Sequence, residues 1–194
     1  MPTRREFLRA GGQALAGLAA TWADPRVAGA RRGLVLAGSA RRVAEIRMRS
    51  DPLGSRVWFD PVGLRVVPGT TVRWVLEANV HSTTAYHPAN GGWAPRIPAG
   101  AEPWDSGILT RPGEVFERRF DVPGVYDYHC IPHEMAGMVG RIVVVPEGGA
   151  RDALREPGSA AGSLRPPSDA ALAALPSIGS IVRNGSVRPA LPGR

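Results

Sequence analysis

Between residues 43 and 146 the chain is cut by Pro61, Pro68-Gly69, Pro112-Gly113, Pro123-Gly124 and Pro146 into short runs that mix apolar and polar residues. Proline removes a backbone donor and these dipeptides favour turns, so no long helix fits across the region. The runs cover residues 43–48, 56–59, 63–67, 70–78, 114–121, 125–130 and 139–145. In the fourth, Val72, Trp74 and Leu76 share one face, the period of a half-buried strand. Seven such runs without a long periodic helix predict an all-β fold, an antiparallel sandwich of about 100 residues. Residues 87–103 form a Pro/Gly/Ala-rich loop, long for a compact domain and therefore a candidate functional segment.

Composition narrows the function. The formal charge of +7 comes entirely from arginine, with no lysine in 194 residues. It is unevenly spread: residues 31–50 carry six Arg against Glu45, whereas residues 51–147, most of the strand region, carry eight Arg against eleven acids. A nucleic-acid-binding core should hold its positive excess on its own face, so no nucleic acid partner is expected. A single cysteine leaves no internal disulfide, no CxxC pair and no thiolate-held iron–sulfur cluster.

The segments on either side have their own signatures. Thr3-Arg4-Arg5-Glu6-Phe7-Leu8, an Ala/Gly-rich apolar run and Ala28-Gly29-Ala30 follow the charged, apolar, small-residue order of a secretory signal. The Arg-Arg-x-Phe-Leu core resembles a twin-arginine export signal. Residues 1–30 are therefore read as an export segment, 31–42 as a basic leader and 43–146 as the domain. The expected location is periplasmic or extracellular, with no stable membrane insertion once the signal is cleaved. Residues 147–167 read as a linker rich in Gly, Ala, Pro and Arg. Ser168 and Ser177 are placed to cap short helices over 170–175 and 178–184, with Gly185 closing the second. Ile178, Ile181 and Val182 share a face expected to dock on the sandwich.

The chemistry lies in Tyr126-Asp127-Tyr128-His129-Cys130-Ile131-Pro132-His133-Glu134-Met135-Ala136-Gly137-Met138. A thiol, an imidazole and a thioether spaced Cys-x2-His-x4-Met form a soft, mixed ligand set. His2Cys with a weak axial Met suits copper in an electron-transfer site. The missing histidine must come from another element; His81, after the 70–78 run, is the candidate, with His87 as its competitor. Met138 is preferred to Met135 as the axial ligand, because Met135 follows His133 too closely to reach that position; it reads instead as exposed apolar rim. His129 alternates with Cys130 and should face the opposite side, exposed to solvent. His87 should be exposed as well. Trp93 and Trp104 either line the rim or pack the loop.

On His81, Asp105-Ser106-Gly107, Gly124-Val125-Tyr126-Asp127-Tyr128 and the ligand loop through Gly140, the sequence resembles the plastocyanin, pseudoazurin and halocyanin group of cupredoxins. The resemblance covers about residues 43–146. It implies a Greek-key β-sandwich of seven to eight strands, here with a short C-terminal helical extension. It also implies one type 1 copper on the equivalents of His81, Cys130, His133 and Met138. The function implied is single-electron transfer between transient redox partners such as a cytochrome or a membrane oxidoreductase, without enzymatic turnover. Electrons would leave through His133, with Pro132, Met135 and Ala136 forming an apolar docking patch. Ser82 stands where the family usually has Asn, whose amide ties the two ligand loops; the shorter hydroxyl is expected to loosen that tie. Two other functions fit parts of the pattern. A relative of copper nitrite reductases would hold a second copper near His129, and a copper-delivery protein would bind the metal without electron transfer.

Overall fold

A computed structural model describes residues 41–149, 154–158 and 163–190. The export segment and most of the basic leader lie outside the described residues. Two sheets face each other. In one the strand order is β2 (Val57–Asp60), β1 (Val43–Ser50), β4 (Thr70–Leu76), β6 (Val115–Phe120). In the other it is β5 (Thr84–Ala85), β7 (Gly124–His129), β8 (Val139–Val144), β3 (Gly63–Val66), β9 (Ser186–Val187). The chain crosses repeatedly between sheets, as in a Greek-key sandwich. Both sheets are mixed, where breakers and periodicity had suggested antiparallel ones: β1 runs parallel to β4 and β3 parallel to β8. Alternation reports which face is buried and carries no information about a neighbour's direction.

Alternate residues fill the space between the sheets. Ile46, Met48, Phe59, Val72, Trp74, Leu76, Tyr128, Cys130, Met138 and Ile142 are buried there. Trp74 sits among Trp104, Phe116, Phe120 and Tyr128 at ring-centroid distances of 5.5–6.2 Å, so one side chain contributes four aromatic contacts to the core. Trp104, on the loop, is core and not rim.

The C-terminal segment lies against this sandwich. Ser168 Oγ accepts from Ala171 N–H to cap α1 (Asp169–Ala174), and Ser177 Oγ accepts from Ser180 N–H to cap α2 (Ile178–Asn184). Ile181 is fully buried and packs directly on Gly63, where any Cβ would come within 2.8 Å of Ile181 and Pro176. The stretch expected to be linker is partly docked: Leu154 packs beside Val143 and Ile181, and Glu156 pairs with Arg141 at 2.9 Å.

Asp127 on β7 and Arg141 on β8 alternate with apolar residues, yet both are buried. Asp127 Oδ1 accepts from Arg141 Nε at 2.7 Å and Oδ2 from Arg96 Nε at 2.9 Å. Arg96 comes from the 87–103 loop, which is pinned further by Asn90 Nδ2 donating to the carbonyls of Ala85 and Trp104.

Candidate metal centre

Three side chains converge at one end of the sandwich. Cys130 follows β7, and its N–H donates to Met138 O at 3.0 Å, closing a loop around His133. Within it, residues Ile131–Ala136 form 3-10 turns interrupted at His133 (φ −125°), and Gly137 ends them at φ +76°. That left-handed conformation favours glycine and returns Met138 to the start of β8.

His81 reaches the same point from another direction. β4 ends at Leu76, earlier than the periodicity suggested, and Asn79 adopts φ +64° in the turn that follows. His81 is instead held by a two-way backbone exchange with Leu109, at 3.1 and 2.8 Å. Its position is thus fixed by Leu109, outside any strand of its own.

The donor atoms form a nearly equilateral triangle. His81 Nδ1 lies 3.2 Å from His133 Nδ1 and 3.6 Å from Cys130 Sγ, and His133 Nδ1 lies 3.3 Å from Cys130 Sγ. The centre of such a triangle is about 2 Å from each corner, close to the metal–nitrogen and metal–sulfur bond lengths of protein sites. Among the described residues this is the only group of three His, Cys, Asp or Glu side chains so arranged. His81 and Cys130 are fully buried and His133 is partly exposed. Burial, reinforced by the neighbouring His133, lowers the His81 imidazole to about 4. Burial pushes the Cys130 thiol up to about 11 and lowers His133. A cation among these donor atoms would favour the thiolate outright. One soft thiolate and two imidazoles fit copper.

The other residues of interest fall around this triangle. Met138 is fully buried in the cluster that contains Cys130, whereas Met135 is 72% exposed. Ser82 N–H donates to Cys130 Sγ at 3.3 Å. Its hydroxyl accepts from Ile131 N–H at 2.8 Å, so a tie between the two loops is present. A short side chain suffices because the backbones approach closely and Thr84 Oγ1, held by Asp105, supports the hydroxyl at 3.1 Å. His87 lies outside the triangle and is partly buried rather than exposed, its Nδ1 accepting from Ala89 N–H to cap a 3-10 turn. His129 does face away from Cys130, but it is only 2% exposed, sandwiched between Tyr86 at 4.5 Å and Trp93 at 5.0 Å. Trp93, also buried, therefore packs the loop. Glu134, which the ligand spacing does not highlight, is buried inside the loop and accepts from Tyr86 O–H at 3.0 Å.

With this geometry in hand, comparison with known proteins is specific. Residues 47–145 match the family described as copper binding proteins, plastocyanin/azurin family. A plastocyanin from a Synechococcus species is 37% identical over 101 residues, 51% of this chain and 71% of that protein. A pseudoazurin from Methylorubrum extorquens is 34% identical over 109 residues, 56% of this chain and 66% of that protein. A solved pseudoazurin from Methylobacterium extorquens AM1 is 29% identical with a TM-score of 0.42, covering 57% of this chain and 81% of that one. The fold and the mixed thiol–imidazole cluster define a cupredoxin. The chain belongs to the plastocyanin/azurin family of copper-binding proteins.

Proposed function

We propose that this chain is an exported one-electron carrier in which His81, Cys130, His133 and Met138 would hold one type 1 copper. The observation that carries this is the triangle of donor atoms with sides of 3.2–3.6 Å, assembled from two separate loops. Copper, when bound, supplies a single-electron couple. The protein holds the donors in place: the Leu109 bridge fixes His81, the Met138 carbonyl anchors Cys130, and Ser82 joins the two loops. Ser82 N–H, aimed at Sγ, would stabilise negative charge on sulfur and so tune the potential.

His133 is the ligand nearest solvent, surrounded by exposed Ile131, Pro132, Met135 and Ala136. That rim supports brief contact with a redox protein, because small apolar patches favour weak, quickly exchanging complexes. Among the described residues no helix is long and apolar enough to cross a membrane. The 1–30 segment is proposed as the export signal, 31–42 as a leader, 43–146 as the copper domain and 147–194 as its tail. The relatives' names, plastocyanin and pseudoazurin, support a carrier over an enzyme.

Loading exported protein with copper(II) and recording its visible spectrum tests the reading. A strong thiolate-to-copper band that vanishes in Cys130→Ser is expected, and a colourless complex would sink it. N-terminal sequencing of the same preparation should begin near Arg31; a start at Met1 would remove the export signal from the account.

A further inference from the structure

We propose that residues 163–175 act as a strap that positions the ligand loop, and that Glu134 is the positioning residue through which the strap acts. The inference rests on the copper-site reading above. The family match stops at residue 145, so the strap lies beyond the matched region.

The strap is secured at both ends independently of the ligand loop. At one end Arg165 exchanges backbone hydrogen bonds with the 92–94 segment: its N–H donates to Gly92 O at 2.9 Å and its carbonyl accepts from Ala94 N–H at 2.7 Å. Its guanidinium stacks over Trp93 at 3.7 Å. At the other end Ala171 and Leu175 pack with Tyr86, Trp93 and Val139, and Arg141 donates to Pro176 O at 3.0 Å.

The ligand loop meets the strap at two places. Glu134 Oε1 accepts from Ser168 N–H at 2.8 Å and from Tyr86 O–H at 3.0 Å, joining loop, strap and sandwich at one oxygen. Gly137 lies against α1, where an added Cβ would stand 3.3 Å from Ala170 O and 3.4 Å from Ala174 Cβ. The rest of the loop offers little purchase. Ile131, Pro132, Met135 and Ala136 are exposed, so between Cys130 and Met138 the one buried side chain is Glu134. It is adjacent to His133, whose ring must be held within about half an ångström to keep a ligand geometry. A buried carboxylate bound by two donors is a stiff anchor, because releasing either donor leaves charge without compensation in a dry site. The strap therefore limits how far His133 can drift and, through it, the geometry that sets the potential.

Four variants of the full chain separate positioning from plain stability. Glu134→Ala removes the anchor, while Glu134→Gln keeps an oxygen able to accept both bonds. Ser168→Pro deletes the N–H, since its φ of −65° is one proline adopts, and Ser168→Ala keeps the N–H while losing the hydroxyl cap. In the metal-free chain, hydrogen exchange at the amides of His133, Gly137 and Met138 should rise about tenfold or more in Glu134→Ala and Ser168→Pro, the effect of losing one hydrogen bond to a charged group. It should stay within about twofold in Ser168→Ala and rise less in Glu134→Gln than in Glu134→Ala, since the neutral amide oxygen still accepts both bonds, more weakly. In the copper-loaded protein Glu134→Ala and Ser168→Pro should shift the reduction potential and the thiolate band.

Unchanged exchange and potential in Glu134→Ala and Ser168→Pro would overturn the proposal. So would equal changes in all four variants, which would mean a general loss of stability. If Glu134→Ala fails to fold, the Ser168 pair decides. If the parent chain shows no thiolate band, the copper reading fails, and the exchange measurements still decide the strap.

Discussion

Asp127→Asn is the most demanding test of how the sandwich is held together. The Asp127 carboxylate is fully buried and accepts from Arg141 Nε and Nη2 at 2.7 and 3.0 Å and from Arg96 Nε at 2.9 Å. An amide of the same shape must turn an NH2 toward one of the guanidinium groups, donor against donor, and it removes the charge that compensates both. Arg141 keeps Glu156 at 2.9 Å and the Pro176 carbonyl, but Glu156 is 62% exposed and screened by water. Among the described residues Arg96 keeps only a long contact of 3.4 Å to Pro157 O. Breaking a buried pair from one side costs about 3–5 kcal/mol, chiefly as the penalty of the stranded charge. For the folded unit of about 150 residues formed by sandwich and tail, that lowers the melting temperature by about 6–20 °C. Thermal unfolding of the metal-free protein, followed by circular dichroism, measures it. High salt should leave the difference intact, because buried charges are poorly screened. If the stranded charge is the cause, Asp127→Asn with Arg96→Met should be no less stable than Asp127→Asn alone, since Met removes the orphan. A loss under about 1 kcal/mol, or a double variant whose losses simply add, would refute the reasoning.

Two further substitutions probe the ends of the molecule. Ser82→Ala removes the acceptor of Ile131 N–H while leaving the Ser82 N–H on Cys130 Sγ, so urea unfolding should show a loss of about 1–2 kcal/mol with the thiolate band retained. An unchanged midpoint would mean the hydroxyl does not join the loops. Ile181→Ala empties a fully buried position against Gly63 and should cost about 2–4 kcal/mol. A melting temperature equal to the parent's would show that the tail does not dock.

The legible part of the site was local. Cys130, His133 and Met138 fall within nine residues, so chain connectivity alone brings them together once β7 and β8 are joined by a turn. His81 was legible only as the histidine after a strand run, and its actual restraint, the Leu109 bridge, connects segments that no periodicity relates. His129 shows where alternation stops informing. Its direction follows from that of Cys130, but its burial depends on Trp93 from a loop and on the Arg165 contact that holds Trp93 from the tail. Asp127 and Arg141 raise the same difficulty. A polar residue in an alternating strand reads as solvent-facing, and both lie under segments whose docking depends on those very charges. Parallel pairing of β1 with β4 was illegible for a different reason: a side-chain period of two is the same for either direction of a neighbour.

These hidden contacts share a direction. Arg96, Trp93, Glu134, Arg141 and Gly63 each hold a loop or the tail against the outer side of the β7–β8 sheet, so the face that alternation would turn to water is covered by the protein itself. The triangle of His81, Cys130 and His133 lies at the end of that same sheet, with Cys130 leaving β7 and Met138 entering β8. A sheet covered on one face only could twist at its end with little resistance. Covered on both, its end is fixed by packing that must be broken before the two ligand-bearing strands can separate. Rigidity at the metal centre then has two sources that can be perturbed independently. One is the core between the sheets. The other is the outer cover, where Arg141, held by buried Asp127, and buried Glu134 of the 131–136 turns bond the tail.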